Sequence, residues 1–412
     1  MPPLPRPVLR AAQVAVALLP VFLLHARALA EVSIAIADIA FLWQMAATRS
    51  WRWLRAPEAL PGLLFWAWQL LCSLPTHAAG GMPAFLQALA SLSWFLLVPA
   101  LGRVVLAEEA ARAWLTRMIS LAVLYIGANV WLQQFTGFDI WGFRRWGDGS
   151  LTGPFYEPRA SAPLVRMMFP VLLPAVTRAR PWVAAALLLL AVVTMVLIGQ
   201  RMPVLLLLLG LAATALFVRR LRPLALGFLV LVPVLVLATV VISPPAHHRL
   251  VTLFAQTMEH FPDSPYGSLY LRSLAMAQNH PLLGWGFDGL RHACRFPQNF
   301  RSFPELGQTL RDGGGAAICN IHPHNIYLEA LTNAGLPGFV LYAAMALTWL
   351  VILGRGLFAT PDALRAGVFV AVLVHFWPIA SSSSAFDLYS SGIAFMMAGL
   401  GVALARARAQ AA

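Results

Sequence analysis

The run Trp182-Val183-Ala184-Ala185-Ala186-Leu187-Leu188-Leu189-Leu190-Ala191-Val192-Val193-Thr194-Met195-Val196-Leu197-Ile198-Gly199 contains no charge and one hydroxyl. After the Gln200-Arg201 turn a second apolar run, Met202 to Val218, follows, and after three closely spaced arginines a third, Pro223 to Ser243. Each approaches or reaches the roughly 20 residues that cross a bilayer as a helix. The same pattern recurs along the chain, which is 60% hydrophobic and 11% charged. These features place it among polytopic membrane proteins and exclude a soluble globular domain. The basic, Pro-rich start, Met1 to Arg10, with the apolar run Ala11 to Leu24, imitates a signal peptide. Without a small-residue cleavage site it reads as an uncleaved first helix.

The hydrophobic pattern predicts twelve spans, at about 11–26, 28–48, 59–75, 83–106, 113–135, 161–178, 181–199, 202–218, 223–243, 325–353, 361–380 and 385–405. The fold class expected is therefore all-α, polytopic and membrane-embedded. Residues 1–243 carry spans one to nine, 244–324 form a helical loop domain on the outer face, and 325–412 carry spans ten to twelve and an inner tail. Within the loop, Arg249 to Phe261 and Ser268 to His280 read as helices, separated or ended by Pro262, Pro265 and Pro281.

All 29 basic residues are arginine, and the net charge is +13. In a soluble protein this would suggest nucleic acid. Here most arginines lie in short connections, where the positive-inside rule accounts for them with both termini cytoplasmic, so no nucleic-acid partner is expected. Arg27, Arg144, Arg145, Arg159, Arg201 and the arginines of 244–324 fall on the outer side and call for local reasons. The aromatic and basic stretch Thr136 to Arg159 suits the headgroup layer of the surrounding lipids.

Arg201 opens a span after the tight turn Ile198-Gly199-Gln200, with nothing nearby in sequence to neutralise it. A charge at that border marks an anion site or else snorkels to headgroups. Arg272 is the lone charge in Leu269-Tyr270-Leu271-Arg272-Ser273-Leu274-Ala275-Met276-Ala277, and Arg159 is a third candidate whose neighbour Glu157 offers a simple surface pair. Three outer guanidinium groups could clamp a phosphate or pyrophosphate. Where the loop meets the tenth span stands His322-Pro323-His324-Asn325, followed by Gly335-Leu336-Pro337-Gly338. An imidazole at that border is a candidate base, with His322 as its orienting neighbour. The competing reading makes His324 and Asn325 a helix cap and the glycines a helix end. The chain has no Asp-x-Asp pair, so no catalytic metal is expected. Cys72 reads as a packing residue. Cys294 and Cys319 share the outer loop and would pair in an oxidising compartment, two free thiols being the alternative.

The spacing of His324-Asn325 to Gly335-Leu336-Pro337-Gly338 resembles the signature of the bacterial O-antigen ligase family and its polymerase relatives. Three further features are similar: an arginine opening a span (Arg201), an arginine-bearing helix leading to Pro-Leu-x-Gly-x-Gly (Arg272 to Gly286), and a long outer loop before the histidine. Family members often have Ser where this chain has Gln200. The resemblance implies a GT-C-like, cofactor-free, metal-independent inverting glycosyltransferase of lipopolysaccharide biosynthesis in the inner membrane. Its donor would be an undecaprenyl-pyrophosphate-linked glycan and its acceptor a lipid A core sugar, met on the periplasmic face. It also implies His324 as base, Arg201, Arg272 and Arg159 on the pyrophosphate, and His322, Asn325, Gly335 and Gly338 in support. An O-antigen polymerase, a protein-glycosylating relative and a lipid-linked glycan flippase are the alternatives.

Overall fold

A computed structural model describes residues 4–360, 362–380 and 384–411. Among them the regular structure is helical, and the one extended feature is an isolated antiparallel bridge between Phe138 and Arg144. Each of the twelve apolar segments read from the sequence forms a helix, but they are not equivalent. Among the described residues eight are long and apolar enough to cross a membrane: Arg6–His25, Arg27–Ala47, Gly81–Val105, Glu109–Thr136, Pro181–Ile198, Arg219–Ile242, Ile326–Gly354 and Leu388–Gln410. Leu60–Cys72, Arg201–Phe217 and Ala363–His375 are shorter apolar helices. The thirteen residues of Leu60–Cys72 rise only about 20 Å, less than the about 30 Å hydrocarbon core. The remaining segment, Ser161–Arg178, carries Arg166, Pro170 and Pro174 inside it. Among the described residues, eight of the twelve expected spans thus meet the length and composition of a membrane-crossing helix, and the other four are shorter or more polar helices.

The core is continuous through the bundle and is built from aliphatic side chains with Phe65, Phe95, Phe169, Phe376, Phe395 and Trp349 buried among them. Close helix contact is achieved by small residues. A Cβ on Gly210 would fall 2.1 Å from the Phe169 ring, and one on Gly367 would fall 2.5 Å from the Phe169 carbonyl oxygen. Ala363–His375 thus lies directly against the backbone of Ser161–Arg178.

Between Arg222–Ile242 and Ile326–Gly354 the chain forms short helices at Pro244–His247, Leu253–Glu259, Pro265–Asn279 and Gly289–Ala293, joined by turns. The expected Arg249 to Phe261 helix is interrupted, with a wider turn at His248–Thr252 before Leu253–Glu259. The next helix starts at Pro265 rather than Ser268, because Ser264 caps it by accepting from the Gly267 N–H at 3.1 Å. Proline is well suited to that first helical position, where no N–H is needed. Cys294 and Cys319 form a disulfide, and Cys72 is a buried free thiol. In the 137–159 segment Asp139 Oδ1 accepts from the N–H groups of Trp141 and Phe143, at 2.9 and 2.7 Å, and leaves the Trp141 ring 62% exposed. An exposed indole on such a fixed turn fits a headgroup-layer anchor.

Candidate active site

The two glycine-bearing motifs singled out in the sequence meet backbone to backbone. Trp285 N–H donates to Thr332 O at 2.8 Å, Gly286 N–H to Asn333 O at 2.9 Å, and Leu336 N–H to Pro281 O at 2.8 Å. Asn333 Oδ1 also accepts from the Gly289 N–H at 2.9 Å. This approach needs glycine on both sides. Gly284 has φ +63°, and a Cβ there would lie 2.6 Å from Ala334 N. Gly335 has φ +63° and ψ −167°, and a Cβ there would lie 2.3 Å from Leu282 O. The Ile326–Gly354 helix is kinked at Ala334 and Gly335 as a result. Gly338 serves the same joint, since a Cβ there would lie 2.3 Å from the Ala334 Cβ.

His324 stands just before this helix at φ +56°, an uncommon conformation for a residue with a side chain. The capping function belongs to Asn325, whose Oδ1 accepts from the N–H groups of Tyr327 (3.0 Å) and Leu328 (3.1 Å). Its Nδ2 donates to Pro378 O at 2.8 Å. The His324 ring lies 4.4 Å from that of His322 and 5.4 Å from that of Tyr266, and its Nε2 is 3.3 Å from Asn320 Nδ2. His322 Nε2 is buried without a partner. Burial first, then the neighbouring His324 and Arg291, push the His322 imidazole down to about 4. His322 is therefore neutral at neutral pH.

Gly199, at φ +76°, closes the helix Pro181–Ile198, and Arg201 begins the next one. Arg201 NH1 donates to the Thr257 hydroxyl at 2.9 Å and to Leu253 O at 3.2 Å. Among the described residues it has no carboxylate at ion-pair distance. Beside it Arg249 pairs with Asp148 and donates to Gly199 O (3.1 Å) and Gln200 Oε1 (3.4 Å). Burial lowers the Arg249 guanidinium and nearby Tyr266 opposes that shift. Tyr266 is the ring that touches His324. Arg249 thus holds the Gly199–Gln200 turn before Arg201, and Tyr266, from the same loop as Arg249, packs against His324.

The other two arginines are employed differently from the expectation. Arg272 is 1% exposed. Its NH1 donates to Cys294 O at 2.8 Å, its NH2 to Gly315 O at 2.7 Å with Asp312 O and Gly313 O at 3.3 and 3.4 Å, and its plane lies over Phe300. The guanidinium ties together the two sides of the disulfide-closed loop, and its remaining Nε–H is buried. Arg159 pairs with Glu157 at 2.5 Å and stacks on Tyr389, the simple surface pair foreseen as its alternative.

Two buried charged residues went unremarked as site candidates in the sequence. Arg166 is 2% exposed, with Nε donating to His375 Nδ1 at 3.1 Å and NH1 to Ala162 O at 2.9 Å. Glu329 is 3% exposed and accepts from Ser384 Oγ and Ala385 N–H, both at 2.6 Å. The signal for Arg166 was present: an arginine well inside an apolar segment, beyond the reach of headgroups.

These features define a polytopic membrane protein with an imidazole and cationic side chains gathered at one border of its helices. The O-antigen ligase family model matches residues 186–343, from the helix before Arg201 into the helix after His324, so this stretch is similar to that family. No curated protein matches the chain.

Proposed function

We propose that the chain is an O-antigen ligase, a metal-independent inverting glycosyltransferase of the inner membrane that moves a glycan from undecaprenyl pyrophosphate to a sugar of the lipid A core. The observation that carries this reading is the similarity of residues 186–343 to the O-antigen ligase family, a stretch that holds both the Arg201 turn, bound by Arg249, and His324. Cations for a pyrophosphate and a base for an acceptor hydroxyl then stand at one membrane border, on this reading the periplasmic one.

Pyrophosphate is a good leaving group once its developing charge is held, a task for preorganised cations rather than for an acid. Arg201, with hydroxyl and carbonyl partners in place of a carboxylate, can turn its guanidinium fork to the anion. Arg249 adds a second positive charge partly offset by Asp148. Arg272 supports the site indirectly, by fixing the loop that precedes the histidine. At the acceptor, His324 takes the hydroxyl proton as the oxygen forms its bond to the anomeric carbon. The carbon–oxygen bond to the pyrophosphate breaks on the opposite face, the configuration inverts, and undecaprenyl pyrophosphate leaves with the electron pair. Neutral His322 keeps a second positive charge away from the base.

A polymerase using a second lipid-linked repeat as acceptor would employ the same chemistry, as would a protein-glycosylating relative. A flippase would require a polar path through both membrane borders. The test supplies purified protein with undecaprenyl-pyrophosphate glycan and either lipid A core or a second lipid-linked repeat. Elongation of the lipid A core is the expected outcome; elongation only of the second repeat assigns a polymerase. His324→Ala should abolish transfer while donor still binds, and full transfer by that variant removes the base assignment. Inhibition by a chelator would overturn the metal-independent mechanism.

A further inference from the structure

At the end of the bundle opposite His324, a cavity of about 430 Å³ is lined by Arg355, Arg365, Arg406 and Arg408 together with the carboxylate of Glu58. Glu58 is already committed. Its Oε1 accepts from Arg103 NH2 at 2.5 Å and lies 3.8 Å from Arg406 NH1. Arg365 is 8% exposed; its NH2 donates to Arg355 O at 2.8 Å, while its NH1 is buried with no partner. Asp362 is spent on capping, accepting from the Arg365 backbone N–H at 2.7 Å, and no carboxylate pairs with the Arg365 side chain among the described residues. Arg408 sits close enough to Arg365 to repel it and donates to Gly356 O at 3.2 Å.

The positive-inside rule explains why arginines populate this end. It does not explain why four of them converge on one cavity, or why one buries an unpaired guanidinium nitrogen beside a like charge, an arrangement that is costly unless an anion completes it. The donors are planar forks, which suit phosphate oxygens, and basic pockets between membrane helices are suited to anionic head groups.

We propose that this cavity is a binding site for a phosphate-bearing anion, distinct from the transfer site on the opposite border, with Arg365 and Arg408 as its principal ligands. The ligand chemistry is a phosphate mono- or diester, supplied by a lipid headgroup or by a soluble phosphate. The assignment stands on the cavity alone and is independent of the proposed transfer reaction.

The experiment titrates delipidated, detergent-solubilised full-length protein with phosphatidylglycerol, phosphatidylcholine or inorganic phosphate, and follows the thermal unfolding midpoint. Phosphatidylglycerol should raise the midpoint saturably and phosphatidylcholine should not; a comparable rise with inorganic phosphate would assign the site to a soluble phosphate. Arg365→Gln with Arg408→Gln should move half-saturation upward by roughly fivefold for each arginine removed. Arg27→Gln, on the other border, should leave it unchanged. If the double variant does not fold, Arg355→Gln, whose side chain is exposed, should still shift it roughly fivefold. Equal response to both lipids with none to phosphate, or variants that behave like Arg27→Gln, would overturn the proposal.

Discussion

Replacing Gly335 by alanine tests whether the interlock of the two glycine motifs holds the histidine region in place. Gly335 occupies φ +63°, ψ −167°, a region essentially reserved for glycine, where a side chain costs about 1–3 kcal/mol. The added Cβ would also meet Leu282 O at 2.3 Å and Leu282 C at 2.5 Å. Both are backbone atoms, so relief requires moving the Pro281–Gly286 turn away from the helix. That movement breaks the hydrogen bonds of Trp285, Gly286 and Leu336 across the joint, each worth about 1 kcal/mol net. Strain and lost bonds together come to roughly 4–6 kcal/mol, a large share of the 5–15 kcal/mol that holds a typical fold. Gly127→Ala is the matched control. A Cβ there meets nothing within 4 Å, and in a helix interior it should stabilise by up to about 1 kcal/mol. Thermal midpoints of the purified variants, with transfer measured below both midpoints, read the difference. A Gly335→Ala protein as stable and as active as Gly127→Ala would refute the interlock.

The two arginines that look alike in sequence should fail differently. Arg201→Lys should keep the thermal midpoint but lose at least about tenfold in transfer, since a point charge cannot reproduce the fork; unchanged turnover would sink the clamp. Arg272→Ala should lower the midpoint by the equivalent of about 3–5 kcal/mol, because buried carbonyls on both sides of the disulfide lose their shared donor. A stable, transfer-dead Arg272→Ala would instead return that residue to the pyrophosphate. His322 gives a pH signature. Its imidazole is held near 4 in the fold against the ordinary value of about 6.5, so between those values the unfolded chain binds the proton and the folded one does not. Stability should be full above about pH 6.5 and fall toward pH 4 by up to about 3 kcal/mol, less whatever solvent screens, and His322→Gln should flatten that slope in midpoints measured across the range.

What the sequence revealed and what it hid divide along the range of the interactions involved. Apolar runs declare helices locally, and all twelve segments are helical. Whether a helix is long enough to span depends on its ends, and Leu60–Cys72 and Ala363–His375 stop short. The His324 border and the two glycine motifs were legible because a turn and a close backbone approach demand glycine wherever they occur. The role of Arg272 was not, because what distinguishes it from Arg201 is a set of carbonyls at Cys294, Asp312, Gly313 and Gly315, far along the chain from the arginine itself. The same distance hid Glu329, whose partners Ser384 and Ala385 are 55 and 56 residues away. Arg249 was one outer arginine among several until Asp148, Gly199 and Gln200 were seen around it.

A residue such as His324, at positive φ between a proline and a helix, keeps its conformation only if its surroundings over-determine it. The surroundings do so from two directions. On one side the Pro281–Gly286 turn is pinned to Thr332, Asn333 and Leu336, and behind it Arg272 and the Cys294–Cys319 bond close the loop that delivers the histidine. On the other side Asn325 donates to Pro378 O, the Tyr327 hydroxyl to Phe376 O, and Glu329 accepts from Ser384 and Ala385. Those three residues lie within little more than one helical turn of His324 and all bind the segment between Ala363–His375 and the last helix. The helix start that follows His324 is thus fixed as much by a segment some fifty residues downstream as by the loop before it. The base role proposed for His324 depends on that kind of fixing, because a displacement of about 1 Å from the reacting group costs on the order of a hundredfold in rate.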